Sequence, residues 1–166
     1  MPEDRFAGRV WGFDDDINTD ALSPGQYAVH PVEVRKLHVL ESVNPSFASE
    51  VAQGDVVVAG RNFGCGSSRE TAVENLKALG VACVVAESFG RIFMRNAIAL
   101  GLPVVVCAGI RGVFEDGDRI EVDLATGRIV NVDSGSELRG DALPAEMLEI
   151  LEAGGILAVL RKQRGG

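Results

Sequence analysis

The chain has 166 residues, 46% hydrophobic and 24% charged, with 16 Lys and Arg against 24 Asp and Glu and a formal net charge of −8. That balance belongs to a globular domain long enough to bury a core, and it excludes an intrinsically disordered chain. The acidic surplus argues against nucleic acid or an anionic membrane as partner, no stretch reaches the ~18 apolar residues of a membrane helix, and an acidic N-terminus with no apolar run behind it predicts a cytoplasmic chain without a signal peptide.

Residues 8–13 form a strand candidate that Asp14-Asp15-Asp16 breaks, and Asn18-Thr19-Asp20 and Ser23-Pro24-Gly25 carry turn chemistry. From Gln26 to Ser49 the pattern is weakly periodic; residues 32–40 are read as a helix within a long connection of the kind that tends to carry function. Residues 55–59 are a β-branched run, expected as a strand covered on both faces. Ala72, Val73, Leu76 and Leu79 mark one face of a helix that Gly80 closes. Residues 81–86 read as the next buried strand, 91–100 as a helix capped by Ser88 and closed by Gly101 and Pro103, and 104–106 as a third strand. This alternation implies parallel pairing with right-handed crossovers.

The last third changes character. Residues 119–124 alternate with period two, Thr126-Gly127 turns the chain, and residues 128–132 return as the second strand of a hairpin. Pro144 opens a helix with Met147, Ile150 and Leu151 on its face and Gly154-Gly155 at its end; residues 156–160 are expected as a final strand, and Arg161-Lys162-Gln163-Arg164 as a solvated tail. With no internal repeat, these elements make one α/β domain over residues 1–166 with added β structure. The three cysteines, Cys65, Cys83 and Cys107, are odd in number and widely spaced, which excludes a disulfide framework or a metal knuckle; Cys83 and Cys107 are expected in the core. Neither His30 nor His38 has an acidic or cysteine partner at metal spacing, so no metal is expected on this chain's own side chains.

Chemistry concentrates in Phe63-Gly64-Cys65-Gly66-Ser67-Ser68-Arg69-Glu70, between a buried strand and a helix. Gly64 and Gly66 permit a sharp turn and close approach to a ligand, while the free N–H groups and dipole at the helix start favour an anion. Arg69 opposes that dipole, which an anionic substrate would justify, since its guanidinium forks onto a carboxylate. A capping box of Ser67 with Glu70 is an equally good reading of part of this string. It is neither a Walker loop nor a dinucleotide fingerprint, and neither histidine offers Ser67 a triad.

The string from Gly60 to Glu70 resembles the signature of the small subunits of 3-isopropylmalate dehydratase, and of the swivelling domain of aconitases. Asp16-Ile17-Asn18-Thr19-Asp20, Glu87-Ser88-Phe89-Gly90-Arg91-Ile92-Phe93-Met94-Arg95-Asn96 and residues 147–155 resemble further stretches of that family, in the same order and across nearly the whole chain. The resemblance implies a three-layer β/β/α swivelling domain. It also implies a separate large subunit that carries a [4Fe–4S] cluster through its own cysteines, the open iron site acting as Lewis acid on a small hydroxy-diacid. This chain would then be an inactive half of a heteromeric hydro-lyase serving leucine biosynthesis, isomerising 2- and 3-isopropylmalate by dehydration and rehydration.

On the same resemblance Ser67 is the base that takes a proton from carbon, Arg69 holds a substrate carboxylate, Ser68 and Gly66 supply donors, and Asp20 faces the site. For Asp20 an Asx turn across Asn18-Thr19-Asp20 is an equal alternative. Arg91 and Arg95, at i and i+4, suit a structural or interface ion-pair face and are left out of the site. Two departures from the family pattern stand out. Thr71 replaces the histidine of Arg-Glu-His-Ala, and Tyr27-Ala28-Val29-His30 stands where the substrate-recognition loop often reads Tyr-Leu-Arg-Thr. Without that arginine, Val29 suits an alkyl substituent better than a third carboxylate, and His30 is either a reader of polar groups or a surface residue. Related hydro-lyases acting on dimethylmalate or homoaconitate, and a non-catalytic carboxylate-binding swivelling domain, are the alternatives. The recognition loop is expected to be mobile without the partner.

Overall fold

The β-branched runs form the strands of one seven-stranded sheet. The computed structural model describes residues 4–66 and 69–165. Strand β1 (Arg5–Phe13) is its seam. The second half of β1 pairs in parallel with β2 (Val56–Ala59), from Val10 on Val56 to Phe13 on Ala59. Its first half pairs antiparallel with β5 (Arg119–Asp123), from Arg5 on Asp123 to Arg9 on Arg119. Beyond β2 lie β3 (Cys83–Ala86) and β4 (Val104–Val106), both parallel; beyond β5 lie β6 (Arg128–Asn131) and β7 (Glu137–Arg139), both antiparallel.

The two halves are buried as their patterns require. Every residue of β2 and β3 is buried, whereas β5 alternates, with Ile120 and Val122 inward. Helices α4 (Glu70–Ala78) and α5 (Arg91–Leu100) are the crossovers of the parallel half and pack on each other. The sheet curls until its ends meet: just past β7, Asp141 donates its N–H to the Val106 carbonyl of β4 at 2.8 Å. Ile120, Val122 and Ile129 of the antiparallel half therefore share one core with Val57, Val85 and Leu76 of the parallel half. The layering is β/β/α, as expected.

Four readings of the sequence change. Residues 156–160 are not a strand but open helix α7 (Ile156–Gly165), which follows α6 (Ala145–Ala153) after Gly154 and Gly155, both at positive φ. A five-residue apolar run does not distinguish strand from helix, and Leu, Ala, Arg, Lys and Gln favour the helix. The helix read over 32–40 breaks into α2 (Val32–Arg35) and a 3-10 turn at Lys36–His38, and Leu40 then adopts a φ of 59°. Residues 19–22, part of the stretch read as turn chemistry, form the short helix α1 (Thr19–Leu22), and α3 (Phe47–Glu50) ends the long connection, its Phe47 packing edge-on against Trp11 and Phe13. Gly90, not Ser88, occupies the N-cap of α5; the Ser88 hydroxyl accepts the Asn62 N–H at 2.8 Å instead.

Candidate functional site

Three loops leave the C-terminal ends of the adjacent parallel strands β1, β2 and β3 and are stitched together there, the edge at which open parallel sheets place their ligands. The loop after β1 joins the loop after β2 through Gly64 N–H to Ile17 O (2.6 Å) and Thr19 N–H to Cys65 O (2.8 Å). Asp16 and Asn62, both left-handed with φ of 59° and 63°, face each other, the Asn62 amide donating to the Asp16 carboxylate at 3.1 Å. Asp and Asn are the side chains that tolerate that conformation. On the other side, Phe63 donates its N–H to Ser88 O (3.0 Å) and accepts that of Gly90 (2.8 Å).

The two site glycines have different reasons to be glycine. Gly64 has a φ of 81°, and a Cβ there would lie 2.5 Å from Phe93 Cβ. Gly66 has a φ of 107°, and a Cβ would meet Thr19 Oγ1 at 3.2 Å. Ser67 and Ser68 lie outside the described residues, and the capping-box reading of Ser67 lies outside them too. Arg69 then occupies the N-cap of α4 in an extended conformation.

Arg69 and Asp20 come together. Arg69 Nη1 donates to the Ser23 carbonyl at 2.8 Å and lies 3.3 Å from Asp20 Oδ1. Towards the described residues, Nε and Nη2 of Arg69 make no hydrogen bond, which leaves an edge of the fork for a carboxylate. The Asx role belongs to Asn18, whose Oδ1 accepts the Ala21 N–H at 2.8 Å and caps α1. The Asp20 carboxylate, 69% exposed, instead faces Arg69 and accepts the Gly25 N–H at 3.2 Å.

Gly25 links this pair to the expected recognition turn, because it opens the 3-10 turn Gly25–Tyr27. Tyr27 stacks flat on His38, with ring centroids 3.6 Å apart, and His38 Nδ1 is 2.8 Å from Glu41. Val29 is 94% exposed and His30 is exposed. Both stand on the turn beyond Gly25, apart from the Arg69–Asp20 contact.

Sequence reasoning missed several neighbours. Thr71 stands out in the sequence for replacing the family's histidine but not for its partner: it shares a 2.7 Å hydrogen bond with the buried Ser23 hydroxyl, so it braces the segment whose carbonyl receives Arg69. Arg35 and Asn75 are buried polar side chains behind the recognition turn. Polar residues in an apolar helical stripe, such as Asn75 between Val73 and Leu76, were the available signal. Cys65 is half-buried and presents its carbonyl to Thr19, whereas burial pushes the Cys83 thiol far up, and burial with Asp141 and Glu87 nearby pushes up that of Cys107.

Among the described residues no three His, Cys, Asp or Glu side chains are grouped to hold a metal, and Cys83 and Cys107 are buried in the sheet core. The donor set of the described residues does not fit an iron–sulfur cluster. Among the described residues no helix is long and apolar enough to cross a membrane.

The comparisons agree with this geometry. Residues 22–108 match the model of the aconitase C-terminal domain. The chain is 53% identical to the 3-isopropylmalate dehydratase small subunit 1 of Methanopyrus kandleri, covering 96% of this chain and 95% of that one. It is 49% identical to the isopropylmalate/citramalate isomerase small subunit of Methanocaldococcus jannaschii, covering 94% of each. The crystal structure of a 3-isopropylmalate dehydratase from the latter organism superimposes with a TM-score of 0.90 at 38% identity, covering 96% of this chain and 95% of that one. With its curled sheet, its glycine turn ahead of α4 and its Arg69–Asp20 pair, the chain belongs to the family of 3-isopropylmalate dehydratase small subunits within the aconitase C-terminal domain family.

Proposed function

We propose that this chain is the base-bearing half of an isopropylmalate isomerase, inactive until a large subunit covers it. The observation that carries the reading is the convergence of Arg69 and Asp20 beside the Gly64–Gly66 turn, at the start of a nine-residue helix and at the C-terminal ends of parallel strands. That arrangement suits an anionic substrate. The openness of the pair, with Asp20 69% exposed, suits a site completed by another chain. The cluster implied by the family resemblance is assigned to that other chain, a reading supported by the donor set of the described residues, which does not fit one.

Within this reading Arg69 turns its guanidinium edge to one substrate carboxylate and fixes the carbon skeleton. Asp20 holds Arg69 from the opposite side and keeps it extended. Ser67, between Gly66 and Arg69 in sequence, takes the proton from the carbon next to the one that loses hydroxyl. The electron pair of that C–H bond forms the double bond as the hydroxyl departs. Water then adds back with the two carbons exchanged, and Ser67 returns its proton to the other carbon. The positive end of α4 and the Arg69 charge both favour the serine as alkoxide, more so in a water-excluded site.

Val29 supports an alkyl-substituted malate rather than a tricarboxylate, because an exposed apolar side chain offers nothing to a third carboxylate. A short-chain alkylmalate is the second reading. It is favoured by the same Val29 and by the M. jannaschii relative, which is named for both isopropylmalate and citramalate.

The test is an anaerobic assay of the chain alone and with a reconstituted large subunit, on 2- and 3-isopropylmalate, citramalate, dimethylmalate and homoaconitate. Turnover of isopropylmalate only in the mixture supports the reading. Turnover of another diacid moves the substrate and keeps the chemistry. Ser67→Ala in the assembled complex should lower kcat by about 10²- to 10⁴-fold, the usual worth of a positioned base. Unchanged turnover refutes the role of Ser67, and silence from a loaded, assembled complex refutes the enzyme.

A further inference from the structure

The turn bearing Tyr27, Val29 and His30 is held by a buried polar network. Asn75, fully buried on α4, donates its Nδ2 to the Leu22 carbonyl at 3.2 Å and accepts at Oδ1 from Arg35 Nη1 at 3.1 Å. Leu22 ends α1, just before the turn begins; Arg35 ends α2, just after it closes. One amide side chain therefore pins both flanks of the segment to the same helix. Arg35, 9% exposed, also reaches into the turn, donating Nε to the His30 carbonyl at 3.0 Å, while Glu74 stands 3.5 Å from its Nη1.

We propose that Asn75 and Arg35 are positioning residues that set where the Tyr27–His30 turn stands relative to the Arg69–Asp20 pair, and so how well the enzyme separates one alkylmalate from another. Three facts carry the inference, which rests on the function proposed above. First, a buried guanidinium and amide are a poor choice for stability alone, since apolar residues of similar volume hold helices together at least as well. What the polar pair adds is direction, by fixing two carbonyls, Leu22 and His30, relative to one side chain. Second, bonds within the turn, such as Ala28 N–H to Gly25 O (3.1 Å) and His30 N–H to Tyr27 O (3.0 Å), set its shape but not its place. Val29, standing in solvent, cannot anchor itself. Third, the helix bearing Asn75 carries Arg69 at its N-cap. The clamp and Arg69 therefore ride on one rigid element, and where the turn stands relative to the Arg69 guanidinium is set through α4.

The test uses the assembled two-subunit enzyme with 2-isopropylmalate and citramalate, whose substituents are isopropyl and methyl. Arg35→Met and Asn75→Leu should raise KM for 2-isopropylmalate at least about tenfold with kcat within about threefold, and bring the ratio of the two kcat/KM values at least about fivefold closer to one. Arg35→Lys, which keeps the charge and a single donor head, should fall between parent and Arg35→Met, and it carries the comparison if the larger changes prevent assembly. Unchanged KM, or an equal loss on both substrates with the ratio intact, overturns the proposal, because a purely structural role lowers both alike. Hydrogen exchange on the full-length chain alone supplies a reading independent of activity. The Ala28 and His30 amides should exchange at least about tenfold faster in Arg35→Met than in the parent; equal exchange refutes the clamp. If the parent complex turns over neither diacid, the proposed function fails while the exchange result still judges the clamp.

Discussion

Replacing Gly64 by alanine perturbs the backbone turn ahead of α4, and the structure divides the cost into two parts. At a φ of 81° an alanine is forced into the left-handed region, which costs roughly 1–2 kcal/mol. The new methyl also drives into Phe93, 2.5 Å from its Cβ and 2.7 Å from Cδ2. Phe93 cannot swing aside: it is buried, edge-on to Phe63 at 5.4 Å and stacked with Phe89 at 6.2 Å. Overpacking of that kind adds about 1–3 kcal/mol. The total, roughly 2–5 kcal/mol, is a large share of the ~5–15 kcal/mol that holds a typical domain.

Gly135 supplies the control, since it has a similar φ of 80° and nothing within 4 Å of its would-be Cβ, so Gly135→Ala should lose the conformational part alone. Urea unfolding followed by Trp11, the single tryptophan, should place the Gly64→Ala midpoint about 1 M below that of Gly135→Ala. Adding Phe93→Leu to Gly64→Ala should return part of the difference as a coupling energy. Equal losses for the two glycine variants would refute the assignment of Gly64 to close packing.

Two further outcomes follow from burial and charge. Alkylation at about pH 8 should modify half-buried Cys65 and spare Cys83 and Cys107, whose buried thiols are pushed up, until the chain unfolds. Peptide mass mapping showing Cys83 labelled as fast as Cys65 would contradict this. In acid, Asp133 is held below the ordinary range by the Arg119 backbone N–H and then its guanidinium, and Glu137 by a hydrogen bond from Arg128. Both folded values lie below the unfolded ones of about 4, so their contribution is complete above that pH and is lost as pH falls through the lower folded values. The double variant Asp133→Asn/Glu137→Gln should flatten the fall in Tm below about pH 4; an unchanged slope would mean that these exposed pairs do nothing for stability.

The parallel half of the fold was legible because its strands are buried on both faces and its helices end in glycines, at Gly80 and Gly101. Those signals are local. Residues 156–160 misled because an apolar run of five carries no period. The stretch from 26 to 49 resisted because its short helices are held by contacts distant in sequence, such as Phe47 on Trp11 and Arg35 on Asn75. At the site, the glycine string and Arg69 stood out as local chemistry. The partnership of Asp20 with Arg69 could not, because it depends on the loop after β1 lying beside the loop after β2. The same holds for Ser23 with Thr71: two hydroxyls far apart in sequence announce nothing until the strands align.

The seam strand has a consequence for how the chain comes into being. During synthesis from the N-terminus, Val10–Phe13 of β1 can zip onto β2 and build the parallel half as β3 and β4 emerge, each from a neighbour recently made. Arg5–Arg9, however, waits for β5, made long after β4. A nascent chain stalled between the two would carry a folded parallel half flanked by two bare rows of peptide groups, one on β1 and one on β4. Such rows invite pairing with another chain. Arrival of the β5–β7 meander covers the first, and the Asp141–Val106 bond ties down the end of the second. The β5–β7 meander is therefore a safeguard against self-association, and truncation after β4 should yield a sticky fragment rather than a small soluble domain.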